Sequence, residues 1–116
     1  MNTAAAELFE GAIAWAMLDP GLGREQGDHR PVLIVSTDEY LEAVTTLAIV
    51  LPVTSRDRGW RNHIALTGQT GLHAASWAMT EQPRTISRER ITRVVGVVDG
   101  ECLARARLYL QDYLRT

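Results

Sequence analysis

The sequence contains one cysteine, no lysine and no long hydrophobic run. Cys102 has no second cysteine to pair with, so an internal disulfide is excluded, and its place in a predicted helix favours a small packed side chain over a nucleophile. The wholly apolar runs, such as residues 47–53, are too short to cross a bilayer. The start of the chain carries Glu7 and Glu10 and lacks the basic start of a signal peptide, so we expect a cytoplasmic protein that does not contact a membrane.

The sequence also lacks ligand residues at the spacing that a metal site requires. His29, His63 and His73 are scattered, and none is accompanied by cysteines or carboxylates at ligand spacing. We therefore expect neither a metal ion nor another cofactor.

Charge is distributed unevenly along the chain. All twelve basic residues are arginine. Guanidinium groups suit phosphate geometry, although a biased coding composition would produce the same feature. The net charge of −2 gives no general attraction to nucleic acid, but residues 54–93 hold seven arginines against three acids. A basic middle segment on an otherwise acidic chain favours a local site for an anionic ligand.

The length and the pattern of apolar residues indicate one domain over residues 1–116, with a loose tail at 1–10. Strands are predicted at residues 11–18, 31–36, 45–53, 62–66, 75–80 and 91–98. Residues 37–42 favour a helical turn, and a final helix begins after Asp99. Residues 67–73 are predicted to form a turn, and Pro83 and Ser87 to bracket a connection. Short strands followed by one helix predict a small closed or half-closed β-barrel.

Pro52 restricts how its strand can pair. Because proline has no backbone N–H, we expect the strand to be at an edge or a bulge at this point.

The segment 19–36 combines loop residues with a buried strand. Its glycines and Pro20 favour a loop, and six polar side chains between residues 24 and 30 directly precede the apolar strand at 31–36. A solvated loop is the ordinary interpretation of such a segment. The density of donors and titratable groups beside a core strand favours a binding site.

Three motifs occur in order along the chain. The first is Asp19-Pro20 with Gly23, Glu25-Gln26 and the run RPVLIV at 30–35; the others are PVTS at 52–55 and EQPRTI at 81–86. Together they resemble the MazF/PemK toxin family, and the last is most similar to the PemK/Kid branch. The resemblance covers the chain from about residue 11 onward.

This resemblance implies a mainly β fold, an SH3-like barrel of the MazF/PemK/CcdB type with a C-terminal helix, forming a homodimer. It implies the toxin of a type II toxin–antitoxin system: a sequence-specific, metal-independent endoribonuclease (mRNA interferase) acting on single-stranded RNA. The products would be a 2′,3′-cyclic phosphate and a 5′-hydroxyl. The cognate antitoxin would place an acidic, apolar tail in the same basic groove.

Metal-free cleavage of RNA needs a base, a group that stabilises the phosphorane and an acid for the leaving oxygen. The resemblance assigns the catalytic arginine to Arg30 and a hydroxyl facing the phosphate to Thr54. Because a guanidinium is a poor base, we expect Arg30 to stabilise the phosphorane and to donate a proton. The structural alternatives are an ion pair of Arg30 with Asp28 or Glu25, and a Thr54 that satisfies only its own backbone.

Glu81 matches an acid that acts with the arginine in the PemK branch, so it is a candidate base. That branch has a histidine where this chain has Arg24 and an arginine where it has Met79. The relay of that branch is therefore incomplete here. His29, beside Arg30, is a substitute titratable group or a surface histidine without a role.

Other polar side chains are expected to contact the substrate or to hold the site together. These are Arg24, Glu25, Gln26, His29, Ser55 and Arg84. Trp60, between two arginines, either stacks on an unpaired base or packs against protein.

Two alternatives to the nuclease remain at this point. One is a non-enzymatic, CcdB-like poison that binds DNA gyrase. The other is a catalytically inactive RNA-binding barrel, which the departures at Arg24 and Met79 keep open.

Overall fold

The computed structural model describes residues 7–19 and 28–115. Within these residues the strands are β1 Ala12–Asp19, β2 Asp28–Ile34, β3 Leu47–Thr54, β4 His63–Ala65, β5 Gly68–Gln69, β6 Trp77–Met79, β7 Arg84–Ser87 and β8 Ile91–Val98. The helices are α1 Asp38–Ala43 and α2 Gly100–Leu114, with a 3₁₀ turn at Arg88–Arg90. None of these helices combines the length and the apolar character that crossing a bilayer requires.

The strands form one curled antiparallel sheet in the order β4-β6-β3-β2-β1-β8-β5, and β7 also pairs with β3. Alternate residues of β1 face two different cores, as the period of a strand requires. Ala14 and Ala16 belong to one core cluster with Val32 and Val50. Ile13 belongs to a second cluster, which includes Leu33, Leu51 and the buried face of α2. This mainly β half-barrel with a C-terminal helix confirms the predicted fold class.

Prolines stand where β2 and β3 separate. The ladder between these strands ends at the pair Val32–Pro52, and Pro31 is paired only with Trp15 of β1. On the other side of β3, pairing with β7 stops at Val50 and pairing with β6 starts at Val53. Pro52 thus falls in the gap between two partner strands, where its missing N–H costs no ladder bond. The expectation of an edge or bulge at Pro52 is confirmed.

Helix α2 begins at a sequence-encoded cap. The side chain of Asp99 accepts a hydrogen bond from the Cys102 N–H, and Cys102 and Ala106 are buried against the sheet. Burial raises the pKa of the Cys102 thiol, in agreement with a packed, unreactive side chain. Packing of α2 against the sheet does not reach the end of the helix, where Leu114 is 81% exposed.

Two segments differ from the sequence-based expectation. The connection expected between Pro83 and Ser87 is strand β7, in which only Ile86 is buried. The turn expected at residues 67–73 contains the two-residue strand β5, which pairs with β8. Neither segment has an alternating apolar pattern, so their strand conformation depends on the neighbouring strand.

The expected tail at residues 1–10 lies in part outside the described residues. Residues 7–10 form no helix or strand, but Glu10 is held in place. Its N–H donates to Asp38 (2.9 Å), and its carboxylate accepts from Arg107 Nε (2.8 Å).

Candidate active site

A groove of about 480 Å³ opens where β2 and β3 part. One wall comes from β1 and the start of β2, a second from the end of β3, and a third from the segment between β5 and β6. The lining residues are Trp15, His29, Arg30, Pro31, Val53, Thr54, Ser55, Leu72, His73, Ala74 and Ser76.

Arg30 and Thr54 stand on opposite sides of this opening. The β2–β3 register, continued two steps beyond Val32–Pro52, would place Arg30 directly opposite Thr54. The ladder does not continue, because Thr54 pairs with Trp77 of β6 instead. Since both residues are two positions beyond a paired one, they belong to the same face of the sheet. Both line the groove.

The Thr54 hydroxyl has one fixed partner. Its oxygen accepts a hydrogen bond from the Arg56 N–H at 3.1 Å, in a turn at the end of β3. Because this bond uses a lone pair, the hydroxyl hydrogen remains available to a ligand oxygen. Ser55, the next residue, also lines the groove.

His29 is held by a hydrogen-bonded chain at the wall of the groove. Its Nε2 lies 3.1 Å from Thr92 Oγ1, and Thr92 Oγ1 donates to the Trp15 carbonyl at 3.2 Å. The rings of Trp15 and His29 have centroids 5.3 Å apart and are tilted by 42°. The imidazole is exposed to solvent yet fixed in orientation.

Glu81 lies in a different environment from the groove-lining residues. Its carboxylate accepts from Asn62 Nδ2 and is 3.0 Å from Nε2 of His63, whose side chain is 1% exposed. Burial raises the pKa of Glu81, but hydrogen bonds from His63, from its own backbone and from Gln82 outweigh this effect and leave the pKa below its usual value. Glu81 is not among the residues that line the groove.

Arg84 supports the end of β1. Its Nη2 donates to the Leu18 carbonyl at 3.0 Å, and Arg90 donates to the same carbonyl at 3.0 Å. These bonds hold the end of β1 in place. They agree with Arg84 holding the site together, and its assignment as a substrate contact stays a prediction.

The predicted substrate contacts Arg24, Glu25 and Gln26 lie outside the described residues. Their assignment stays a prediction.

Several residues that line the groove had no predicted site role, among them Trp15 and His73. Trp15 was part of a predicted strand without a site role, and His73 belonged to a predicted turn. No local motif marks either residue. They reach the groove because β1 is next to β2 and because the segment after β5 folds over β8.

The segment between β3 and β4 carries an exposed aromatic ring. Trp60 is 51% exposed, and the Arg58 guanidinium lies 5.5 Å from the centre of its ring. The His63 ring contacts Trp60 with centroids 4.8 Å apart. An exposed ring beside cations is suited to stacking on an unpaired base.

No group of three or more His, Cys, Asp or Glu side chains in the described part of the chain is arranged to hold a metal ion. The expectation that the protein works without a metal stays a prediction.

Residues 9–114 match the family described as the PemK-like, MazF-like toxin of type II toxin–antitoxin systems. Endoribonuclease PemK of Escherichia coli is 36% identical over 110 residues, which cover 86% of this chain and 80% of that protein. Endoribonuclease MazF9 of Mycobacterium tuberculosis is 35% identical over 101 residues, covering 82% and 86%.

Solved structures agree with the sequence relatives. The crystal structure of MazF from Deinococcus radiodurans has 26% identity and a TM-score of 0.76, covering 94% of this chain and 97% of that one. A MazE–MazF structure from the same organism has 28% identity and a TM-score of 0.77, covering 92% and 95%. With the motifs, the half-barrel and the Arg30–Thr54 groove in place, the chain belongs to the PemK-like, MazF-like toxin family of type II toxin–antitoxin systems.

Proposed function

We propose that this chain is an endoribonuclease toxin that cleaves single-stranded RNA in the groove between β2 and β3. The names of its relatives, Endoribonuclease PemK and Endoribonuclease MazF9, support this activity. The observation that carries the proposal is that Arg30 and Thr54 line one groove from two strands that have just separated. A guanidinium and a hydroxyl on one face of a sheet suit a phosphodiester.

In this proposal Arg30 and Thr54 bind the scissile phosphate. The guanidinium holds two phosphate oxygens and stabilises the charge of the phosphorane. The Thr54 hydroxyl, whose oxygen already accepts from Arg56, donates its hydrogen to a phosphate oxygen. Attack by the neighbouring 2′-hydroxyl then gives a 2′,3′-cyclic phosphate and a 5′-hydroxyl, without a metal ion. Ser55 contacts the same phosphate or the next one.

The contacts of Glu81 favour a structural role over that of a base. Its carboxylate is engaged with His63 and Asn62, and its lowered pKa weakens it as a proton acceptor. We therefore propose that Glu81 fixes the start of β4 and that another group takes the 2′-hydroxyl proton.

The partners we propose are single-stranded RNA, a second copy of the chain in a homodimer and a cognate antitoxin in the cytoplasm. The MazE–MazF structure from Deinococcus radiodurans supports the antitoxin. Seven arginines against three acids in residues 54–93 support an inhibitory segment of acidic character.

The test is incubation of the purified protein with a defined RNA in EDTA, followed by sequencing and chemical analysis of the ends. We expect cleavage at a preferred sequence and a loss of about 10²–10³-fold in Arg30→Ala, the scale of removing one donor to a developing oxyanion. Arg105→Ala, an equal change of charge on an exposed face of α2, should cleave normally.

Two results would reject the proposal. Intact RNA with the wild-type protein would favour the CcdB-like or the inactive alternative. Undiminished cleavage by Arg30→Ala would reject the assigned groove.

A further inference from the structure

We propose that His29 is the general base that takes the proton of the attacking 2′-hydroxyl. This inference rests on the proposed nuclease function and identifies a group that the Arg30–Thr54 arrangement does not supply. A guanidinium keeps its proton too firmly to act as a base, and an alcohol hydroxyl is no better. Metal-free cleavage therefore needs a third side chain at the groove.

His29 has the required position. It precedes Arg30 on β2, and both residues line the groove. On a strand, consecutive side chains point to opposite faces, so His29 and Arg30 flank the free edge of β2 from two sides. His29 and Arg30 pair with β1, and the ladder between β2 and β3 begins only at Val32. A phosphodiester lying along this edge would meet both side chains.

The hydrogen bonds of His29 determine which nitrogen can accept a proton. The Thr92 hydroxyl has a single hydrogen, and that hydrogen is directed to the Trp15 carbonyl, which can only accept. The contact between Thr92 Oγ1 and His29 Nε2 therefore requires the imidazole nitrogen to be the donor. In the neutral ring the proton is then on Nε2, and Nδ1 carries the free lone pair. A backbone carbonyl thus orients a base through one hydroxyl.

Within residues 29–115, the other titratable candidates are less suited to this role. His63 is buried and directed to Glu81, and neither residue lines the groove. His73 does line the groove, from the segment between β5 and β6, but no hydrogen bond orients it within the described part of the chain. His29 combines exposure to the groove with a fixed tautomer.

His29 Nδ1 takes the 2′-hydroxyl proton while the 2′-oxygen forms a bond to phosphorus. The bond from phosphorus to the 5′-oxygen breaks, and this oxygen takes a proton from the Arg30 guanidinium, since an alkoxide is basic enough to remove it. Solvent then takes the proton from the imidazolium and returns one to Arg30. The products are the 2′,3′-cyclic phosphate and the 5′-hydroxyl.

The experiment compares two substrates under single-turnover conditions: normal RNA, and the same RNA with a bridging 5′-sulfur at the cleavage site. A thiolate leaves without protonation, so this substrate bypasses the acid and still needs the base. We expect His29→Ala to slow cleavage of both substrates by the same factor, about 10²–10⁴-fold. Added imidazole should restore part of the rate, as it would not for a structural defect.

Thr92→Val tests the orienting chain separately. It removes the acceptor of the Nε2 proton and leaves the imidazole in place, so cleavage should fall by up to about tenfold, the effect of one hydrogen bond. His73→Ala is the matched variant of the other histidine in the groove. If this variant cleaves RNA more slowly than wild type, added imidazole should not restore its rate. Thermal unfolding of each variant separates a folding defect from a chemical one.

The outcomes distinguish this proposal from the nuclease function. Cleavage by the wild type with an undiminished rate in His29→Ala would overturn the assignment of the base and leave the nuclease intact. Recovery of His29→Ala by the 5′-sulfur substrate would make His29 the acid. If imidazole restored cleavage by His73→Ala and did not restore cleavage by His29→Ala, the base would be His73.

Discussion

Pro31 explains why the two proposed reactive side chains of this chain lie at an opening. It lies one residue beyond the last pair of the β2–β3 ladder, Val32–Pro52, and cannot donate a backbone hydrogen bond to β3. The strands separate at this point, and Arg30 and Thr54 line the opening. The short motifs RPV and PVT thus contain both these residues and the point of separation.

At the same scale, the Glu81–His63 contact predicts a pH dependence of stability. Because the pKa of Glu81 is lowered in the folded protein, its contribution is present above its ordinary pKa of 4.5 and is lost as the pH falls below that value. Glu81→Gln should reduce the free energy of unfolding at pH 7 by less than about 1 kcal/mol, since the carboxylate is partly exposed and screened. Urea unfolding at pH 7 and at pH 3 measures the difference, which should shrink at the lower pH.

Glu42→Gln is the matched control for this experiment, because Glu42 is an exposed carboxylate of α1. The difference in the free energy of unfolding between Glu42→Gln and wild type should not shrink from pH 7 to pH 3. RNA cleavage by Glu81→Gln should remain close to the wild-type rate; a loss as large as that of Arg30→Ala would restore Glu81 to the role of base.

At the scale of the elements, the far wall of the groove depends on glycines. A Cβ on Gly96 of β8 would lie 2.2 Å from the carbonyl carbon and oxygen of Thr70, and one on Gly71 would lie 2.2 Å from the Val95 oxygen. The segment after β5 therefore lies directly on β8. The same segment continues to His73 and Ala74 in the groove wall.

Gly96→Ala is thus expected to displace this wall. The added methyl group meets rigid backbone, so we predict a loss of about 1–3 kcal/mol in stability, the usual effect of overpacking. We also predict a raised KM for RNA with a smaller change in kcat. Thermal unfolding and steady-state cleavage measure the two effects.

Gly100→Ala is the control, because a Cβ at Gly100 meets nothing within 4 Å. This change at the start of α2 should leave cleavage unaltered and stability unchanged or slightly higher. Normal stability and KM in Gly96→Ala would show that the segment after β5 does not need its close approach to β8.

The elements also show which parts of the fold local sequence determines. Strand β8 lies where the apolar run at 91–98 predicted it, and α2 begins after its Asp99 cap. Strand β7 was missed, because a four-residue segment with one buried side chain has no pattern of its own and forms against β3. Motifs likewise predicted Arg30 and Thr54, whereas the contribution of His73 depends on packing between distant segments.

At the scale of the whole molecule, net charge and local charge have different meanings. The chain is slightly acidic, yet its middle segment is rich in arginine, and Arg58 lies over the exposed ring of Trp60. RNA affinity in such an arrangement depends on a local patch and should fall as salt increases. The same patch would attract an acidic antitoxin segment.

The central claim, that Arg30 and Thr54 act together on one phosphate, is tested most directly by a double-mutant cycle. Single-turnover cleavage is measured for wild type, Arg30→Ala, Thr54→Val and the double variant. Because both side chains stabilise the same phosphorane, the double variant should lose much less than the product of the two single losses. Losses that multiply independently, or a Thr54→Val protein as fast as wild type, would contradict the account.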